Sequence, residues 1–140
     1  MLFRSGAGKS TLATLASRTL EARGIRSTVL DGDVLRSGLN SDLGFDAADR
    51  AEAVRRAGEA ALIASSAGVV TFAALISPYR ADRDRVRARH RECGIAFLEV
   101  FVDAPLAVAE ARDPKGLYAR ARAGAIPAFT GISEIGRAHV

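Results

Sequence analysis

Seven residues close to the N-terminus, Ser5-Gly6-Ala7-Gly8-Lys9-Ser10-Thr11, constrain this chain more than any other stretch. Gly8-Lys9-Ser10 ends a phosphate-binding loop of the form G-x-x-x-x-G-K-[ST], and a helical pattern follows at once. Glycines let successive backbone N–H groups turn inward around phosphate oxygens, and the helix adds its positive N-terminal end. In that arrangement Lys9 reaches the β- and γ-phosphates and the Ser10 hydroxyl holds Mg²⁺. The alternative is a glycine-rich turn in front of an ordinary helix. The loop's first glycine belongs at position 3, where Phe3 stands instead.

With 140 residues, 49% of them apolar, the chain has material for a single core and one domain. No apolar run approaches the ~18–20 residues that a membrane-spanning helix needs. The start also lacks the charged and apolar regions of a secretory signal. One cysteine, Cys93, excludes an internal disulfide and fits a reducing cytoplasm. The net charge of +4 and pI near 10 point to anionic partners. Basic residues are dispersed and aromatics make up only 6%, so no stacking platform for nucleic acid emerges. Small polyphosphates account for the charge equally well.

Helical spacing runs from Thr11 to Glu21, with Leu12, Leu15, Ala16 and Leu20 on one side and Gly24 as a stop. Residues 26–30 read as a short buried strand that runs into Asp31-Gly32-Asp33. A carboxylate just past a strand suits an open parallel sheet, where ligands collect beyond the carboxyl ends. A short helix and loop at 34–44 precede a long helix from about Ala47 to Ser66, with Val54, Gly58, Ala61, Leu62 and Ser65 facing inward. Residues 69–75 form a near-continuous apolar run, as a strand buried on both faces should. Residues 82–91 form a helix whose charges read as a solvated face. A further strand is expected at 96–102, then helices at 106–111 and beyond Asp113, with loop from Ala125 onward. The alternation of strand and helix predicts a three-layer α/β domain with a parallel sheet.

Several blocks together resemble one family, adenylylsulfate kinase (APS kinase). They are SGAGKST at 5–11, LDGDVLRSGLNSDLGF at 30–45, DRAEAVRR at 49–56, ISPYRADRDRVR at 76–87 and the stretch at 101–132 containing DPKGLY and FTGI. The phosphate loop alone says only "nucleoside triphosphate"; the other blocks, in the family's order and spacing, are far more specific. The resemblance implies a P-loop NTPase fold and transfer of the ATP γ-phosphoryl group to the 3′-hydroxyl of adenylyl sulfate, giving 3′-phosphoadenylyl sulfate. Such chemistry leaves the protein mainly positioning and charge stabilisation to perform. The other readings are a different small-molecule P-loop kinase, or a nucleotide-binding domain without catalysis.

By that resemblance Gly6, Ala7, Gly8, Lys9, Ser10 and Thr11 bind the ATP phosphates, and Ser10 with Asp31 serves Mg²⁺. Asp31 either orders a metal-bound water or accepts the 3′-hydroxyl proton; Asp33 is the second choice, and its alternative role is capping the next helix. Arg36 and Arg50 grip the sulfate–phosphate end, since guanidinium matches such anions bidentately; otherwise they are solvated helix arginines. Phe45 and Phe129 sandwich the substrate adenine by the same analogy, and are otherwise ordinary core or loop-anchoring aromatics. Ile76 lies where the family contacts substrate. Ser77 matches a serine phosphorylated in the family, and on residue grounds stabilises the turn before Pro78. Lys115 reaches over the nucleotides from a lid segment that Arg120 and Arg122 support. A homodimer, or fusion to or association with ATP sulfurylase, is implied for the parent protein.

Three positions depart from the family pattern: Val34, Ala53 and Ser133 stand where asparagine, asparagine and aspartate are usual. The ends also depart. Residues 1–5 and 134–140 can be encoded by DNA stretches that are largely reverse complements of each other, in the manner of a sequencing-library adapter. The expectation is therefore a partial domain, native from about residue 6 to 133, without the family's first strand and last helix. Such a polypeptide is expected to be unstable and weakly active or inactive, while its parent is an active kinase.

Overall fold

The computed structural model describes residues 6–113 and 116–125. The expectations for Phe3, Lys115, Phe129, Ser133 and both chain ends lie outside the described residues. The elements run in the order α1 (Lys9–Glu21), β1 (Ser27–Asp31), α2 (Gly32–Arg36), α3 (Ala47–Ser66), β2 (Val70–Ala74), α4 (Arg80–Glu92), α5 (Leu106–Arg112) and α6 (Leu117–Arg122). β1 and β2 pair in parallel from Ser27 opposite Val70 to Asp31 opposite Ala74. Parallel neighbours need a long crossover, and α2 with α3 supplies it. The α/β architecture with a parallel sheet is thus as the sequence predicts.

The face that α1 buries differs from the expected one. Ala13 and Ser17 are buried, whereas Leu12 is 48% and Leu15 56% exposed. Small side chains let α1 approach the strand pair closely, and the Ser17 and Ser27 hydroxyls then hydrogen-bond at 2.8 Å. Leu12 turns instead toward a groove of about 250 Å³, where it lies with Lys9, Phe72, Phe97 and Val100 among the lining residues.

α3 starts where the Asp46 side chain accepts the Asp49 N–H at 2.8 Å, satisfying one of the free donors of a helix start. Its buried residues are Arg50, Val54, Ala57, Ala61 and Leu62. Gly58 and Ser65 are only partly covered. At Gly58 the helix meets α4 so closely that an added Cβ would stand 2.9 Å from both methyls of Val86.

Two strand expectations need correction. β2 is shorter than 69–75 and is not buried on both faces: Ala74 is buried, but Val70 is 41% exposed. Residues 96–102 form no strand. Their apolar pattern is strand-like, but a strand exists only through a ladder partner, and among the described residues none pairs with this segment. It is tied instead to α4, because Glu99 accepts from Arg83 Nε at 2.8 Å and from Arg87 Nη2. This also corrects the view of α4 as merely solvated. Asp82, Arg83 and His90 are buried on it, and Arg83 Nη1 donates to the Ser77 carbonyl at 3.0 Å. Among the described residues no helix is long and apolar enough to cross a membrane.

Candidate active site

The phosphate loop has the backbone its glycines permit. Gly6 has φ +75° and Gly8 φ +94°, a region side-chain-bearing residues rarely adopt. Gly8 is also the N-cap of α1, so Lys9 opens the helix. α5 packs against this loop, and a Cβ on Gly6 would stand only 2.8 Å from the Ala109 carbonyl oxygen. Ala7 is buried, Lys9 borders the groove, and Ser10 and Thr11 are exposed.

β1 delivers Asp31 to this loop. The Ser10 hydroxyl donates to Asp31 Oδ2, while Asp31 Oδ1 accepts the Asp33 N–H at 2.9 Å. The capping role foreseen for Asp33 therefore belongs to Asp31, which begins α2, and Asp33 is an exposed residue of the first turn. Asp31 comes first because β1 ends there and its backbone is still extended, as an N-cap requires. The hydroxyl and carboxylate together make a pair of hard oxygen ligands. That set fits Mg²⁺, which takes one or two protein oxygens and keeps waters or phosphate oxygens elsewhere.

A second cluster gathers at the start of α3. Arg36 stacks on Phe45, its guanidinium carbon 4.1 Å from the ring centroid, and its Nη1 donates to the Gly44 carbonyl at 3.1 Å. Arg50 is only 8% exposed and its Nε donates to the Phe45 carbonyl at 2.7 Å. It is not a solvated helix arginine. Phe45 itself is 62% exposed, which is not how a core aromatic sits. Burial first, and then the neighbouring Arg50 charge, push the Arg36 pKa down. Two guanidinium groups that repel each other beside an open aromatic face favour a planar ligand carrying negative charge.

The remaining predicted residues are less concentrated. Ile76 is 37% exposed. Ser77 borders the same groove as Lys9, is 4% exposed, and its Oγ has no hydrogen-bond partner among the described residues. The hydroxyl therefore does not stabilise the turn before Pro78. Arg122 donates from Nε to Glu110 at 3.0 Å and so joins α6 to α5. Asp113 sets the start of α6 by accepting the Leu117 and Tyr118 N–H groups at 2.8 and 3.0 Å. Val34 is 68% exposed.

Sequence reasoning missed Arg112. Its Nη1 lies 3.9 Å from where a Cβ on Gly8 would be, at the phosphate loop. The signal was its place at the end of α5, directly before the DPKGLY block. The cation's charge is of the right sign for a polyphosphate.

The chain matches the family described as adenylylsulphate kinase over residues 3–137. An adenylyl-sulfate kinase of Burkholderia ambifaria is 61% identical over 128 residues, covering 91% of this chain and 70% of that protein. The chloroplastic adenylyl-sulfate kinase 4 of Arabidopsis thaliana is 55% identical and matches 93% of this chain but 41% of its own length. The chain thus spans only part of these relatives. Among solved structures, Mycobacterium tuberculosis APS kinase CysC in complex with AMPPNP and APS superposes with a TM-score of 0.94 and 48% identity. That likeness covers 99% of this chain and 80% of the other.

Proposed function

Because the chain belongs to the adenylylsulphate kinase family, we propose that its site transfers the γ-phosphoryl group of ATP to the 3′-hydroxyl of adenylyl sulfate. The single observation that carries this reading is the pairing of two built clusters. The phosphate loop meets Asp31 through Ser10, and the Arg36–Phe45–Arg50 group presents an aromatic face with two cations. One suits a triphosphate, the other a nucleotide bearing a mixed anhydride. The mycobacterial relative, with 48% identity, was solved with an ATP analogue and APS together.

In the reaction the 3′-oxygen forms a bond to the γ-phosphorus as the bond to the β–γ bridging oxygen breaks, leaving ADP. Gly6, Ala7 and Gly8 hold the phosphates by backbone N–H groups, and Lys9 compensates charge on the β- and γ-phosphates. Arg112 adds a second cation at the same loop. Asp31, anchored from both sides by Ser10 and the Asp33 N–H, is placed to take the 3′-hydroxyl proton or to hold a water that does. Mg²⁺, when bound by Ser10 and Asp31, would neutralise charge on the phosphate oxygens. Arg36 and Arg50 bind the sulfate–phosphate group and Phe45 stacks on the adenine; the substrate roles of Phe129 and Lys115 rest on the family resemblance. Self-association, or union with an ATP sulfurylase, and a cytoplasmic setting belong to the same proposal.

ADP release measured with adenylyl sulfate, gluconate and AMP as alternative acceptors tests it. Release that depends on adenylyl sulfate alone supports the reading. Release with gluconate or AMP points to another small-molecule kinase, and ATP binding without any acceptor-dependent release points to a non-catalytic domain.

A further inference from the structure

The turn-rich segment at 37–45 carries Phe45 into position, yet belongs to no helix or strand. Its backbone bonds are turns: the Asn40 N–H donates to the Leu35 carbonyl of α2 at 2.8 Å and the Ser41 N–H to the Gly38 carbonyl at 2.9 Å. Isolated turns of this kind do not hold one geometry against solvent. α3 supplies what they lack: besides the Arg50 bond to the Phe45 carbonyl, it holds the segment at two further points.

The first is Arg56, whose guanidinium is spread over four acceptor atoms of three residues. Nη1 donates to the Leu39 carbonyl at 2.8 Å and to Asp42 Oδ1 at 2.6 Å, Nη2 donates to Asp42 Oδ2 at 2.8 Å, and Nε donates to Glu52 Oε1 at 2.9 Å. The Asp42 pair is a bidentate fork, the geometry in which arginine cannot be replaced by lysine. Glu52 sits one helical turn earlier and fixes the rotamer of Arg56. The second point is Asp49, whose Oδ2 accepts the Gly44 N–H at 2.8 Å, one residue before Phe45. The residues that face the Arg56 guanidinium are thus Leu39, Asp42, Glu52 and its neighbour Arg55, and none of them belongs to the residues assigned to substrate.

We propose that Arg56 is a positioning residue for the acceptor nucleotide. By clamping Leu39 and Asp42 to α3 it fixes the segment that presents Phe45 and the Gly44 carbonyl to Arg36. This rests on the reading of that cluster as the adenylyl sulfate site. The phosphate loop is held by other elements, so ATP binding does not depend on the clamp.

The test compares the unmodified chain with Arg56→Ala, Arg56→Lys, Asp42→Ala, the double variant Arg56→Ala/Asp42→Ala and a control, Arg55→Ala. Dissociation constants for adenylyl sulfate and for Mg·ATP are measured, together with amide hydrogen exchange across residues 37–45. Misplacing a binding group by about 1 Å weakens productive engagement by up to roughly a hundredfold. Arg56→Ala is accordingly expected to weaken adenylyl sulfate binding at least about tenfold and to speed exchange at the Gly44 amide, with Mg·ATP affinity held within about twofold. Arg56→Lys should rescue little, Asp42→Ala should act in the same direction, and the double variant should be no worse than Arg56→Ala, since coupled partners are not additive.

Adenylyl sulfate affinity unchanged in Arg56→Ala and Asp42→Ala would overturn the proposal. So would equal losses for both nucleotides, which mark general destabilisation, or an equal effect of Arg55→Ala, which marks helix charge alone. Failure of the underlying reading looks different: the unmodified chain then binds Mg·ATP and does not bind adenylyl sulfate, and the positioning role falls with it.

Discussion

A single residue decides how closely α3 and α4 meet. Gly58 on α3 faces Val86 on α4, and an added Cβ would fall 2.9 Å from both valine methyls. A β-branched side chain has little rotameric freedom to retreat. Alanine should recover up to about 1 kcal/mol of helix propensity, against an overpacking cost of about 1–3 kcal/mol. Gly58→Ala is therefore expected to lower stability, read as a reduced denaturant midpoint at unchanged slope, and Gly58→Leu to lower it further. A rise in the midpoint for Gly58→Ala would show that α4 yields easily. The same scale explains Asp31, whose two carboxylate oxygens face different tasks. Oδ1 begins α2, while Oδ2 meets the Ser10 hydroxyl. The sequence ranks Asp31 ahead of Asp33 by its place at the strand end, but does not show that its two oxygens divide these tasks.

At the scale of elements, α3 joins core and site. One face buries Val54, Ala57, Ala61 and Leu62, while its first three turns carry Asp49, Arg50 and Arg56, which bond to the segment at 37–45, and Glu52, which holds Arg56. Hydrogen bonds from Arg55 and then Arg56 lower the Glu52 pKa to about 2, and the Arg56 hydrogen bond lowers that of Asp42. Both are carboxylates depressed on folding. Their contribution is present above the ordinary carboxylate range and is lost as pH falls through the folded values. Side-chain NMR should therefore find Glu52 titrating near 2, and moving toward its ordinary 4.5 when Arg55 and Arg56 are both alanine. A midpoint already at the ordinary value in the unmodified chain would show that these ion pairs do not persist in solution.

The long helix α3 was legible from sequence to its ends through its apolar spacing, and the Asp46 cap seen in the structure fits the expected start. The inward face of α1 was not. Leucines predict the buried side by transfer energy alone, whereas Ala13 and Ser17 are buried because close approach to β1 favours small side chains. Residues 96–102 carry a strand's pattern without a ladder, since pairing is a property of neighbours that one segment's sequence does not contain.

For the whole molecule, the phosphate loop lies at the start of α1 and Asp31 at the carboxyl end of β1, while the arginine–phenylalanine cluster lies between α2 and α3. The phosphate loop, Asp31, Arg36, Phe45 and Arg50 were all named from residue chemistry together with family resemblance. Arg112 was not, because only the packing of α5 on the loop brings it to Gly8. The proposed function requires these two clusters to form one phosphoryl-transfer site. Its most direct measurement follows ATP labelled in the γ-phosphate, in the presence of Mg²⁺ and adenylyl sulfate, and locates the label by chromatography and phosphorus NMR. Label is expected on the 3′-oxygen of adenylyl sulfate, lost in Lys9→Ala and strongly reduced in Asp31→Asn. Label released only as inorganic phosphate, or transfer that survives Lys9→Ala, would contradict it.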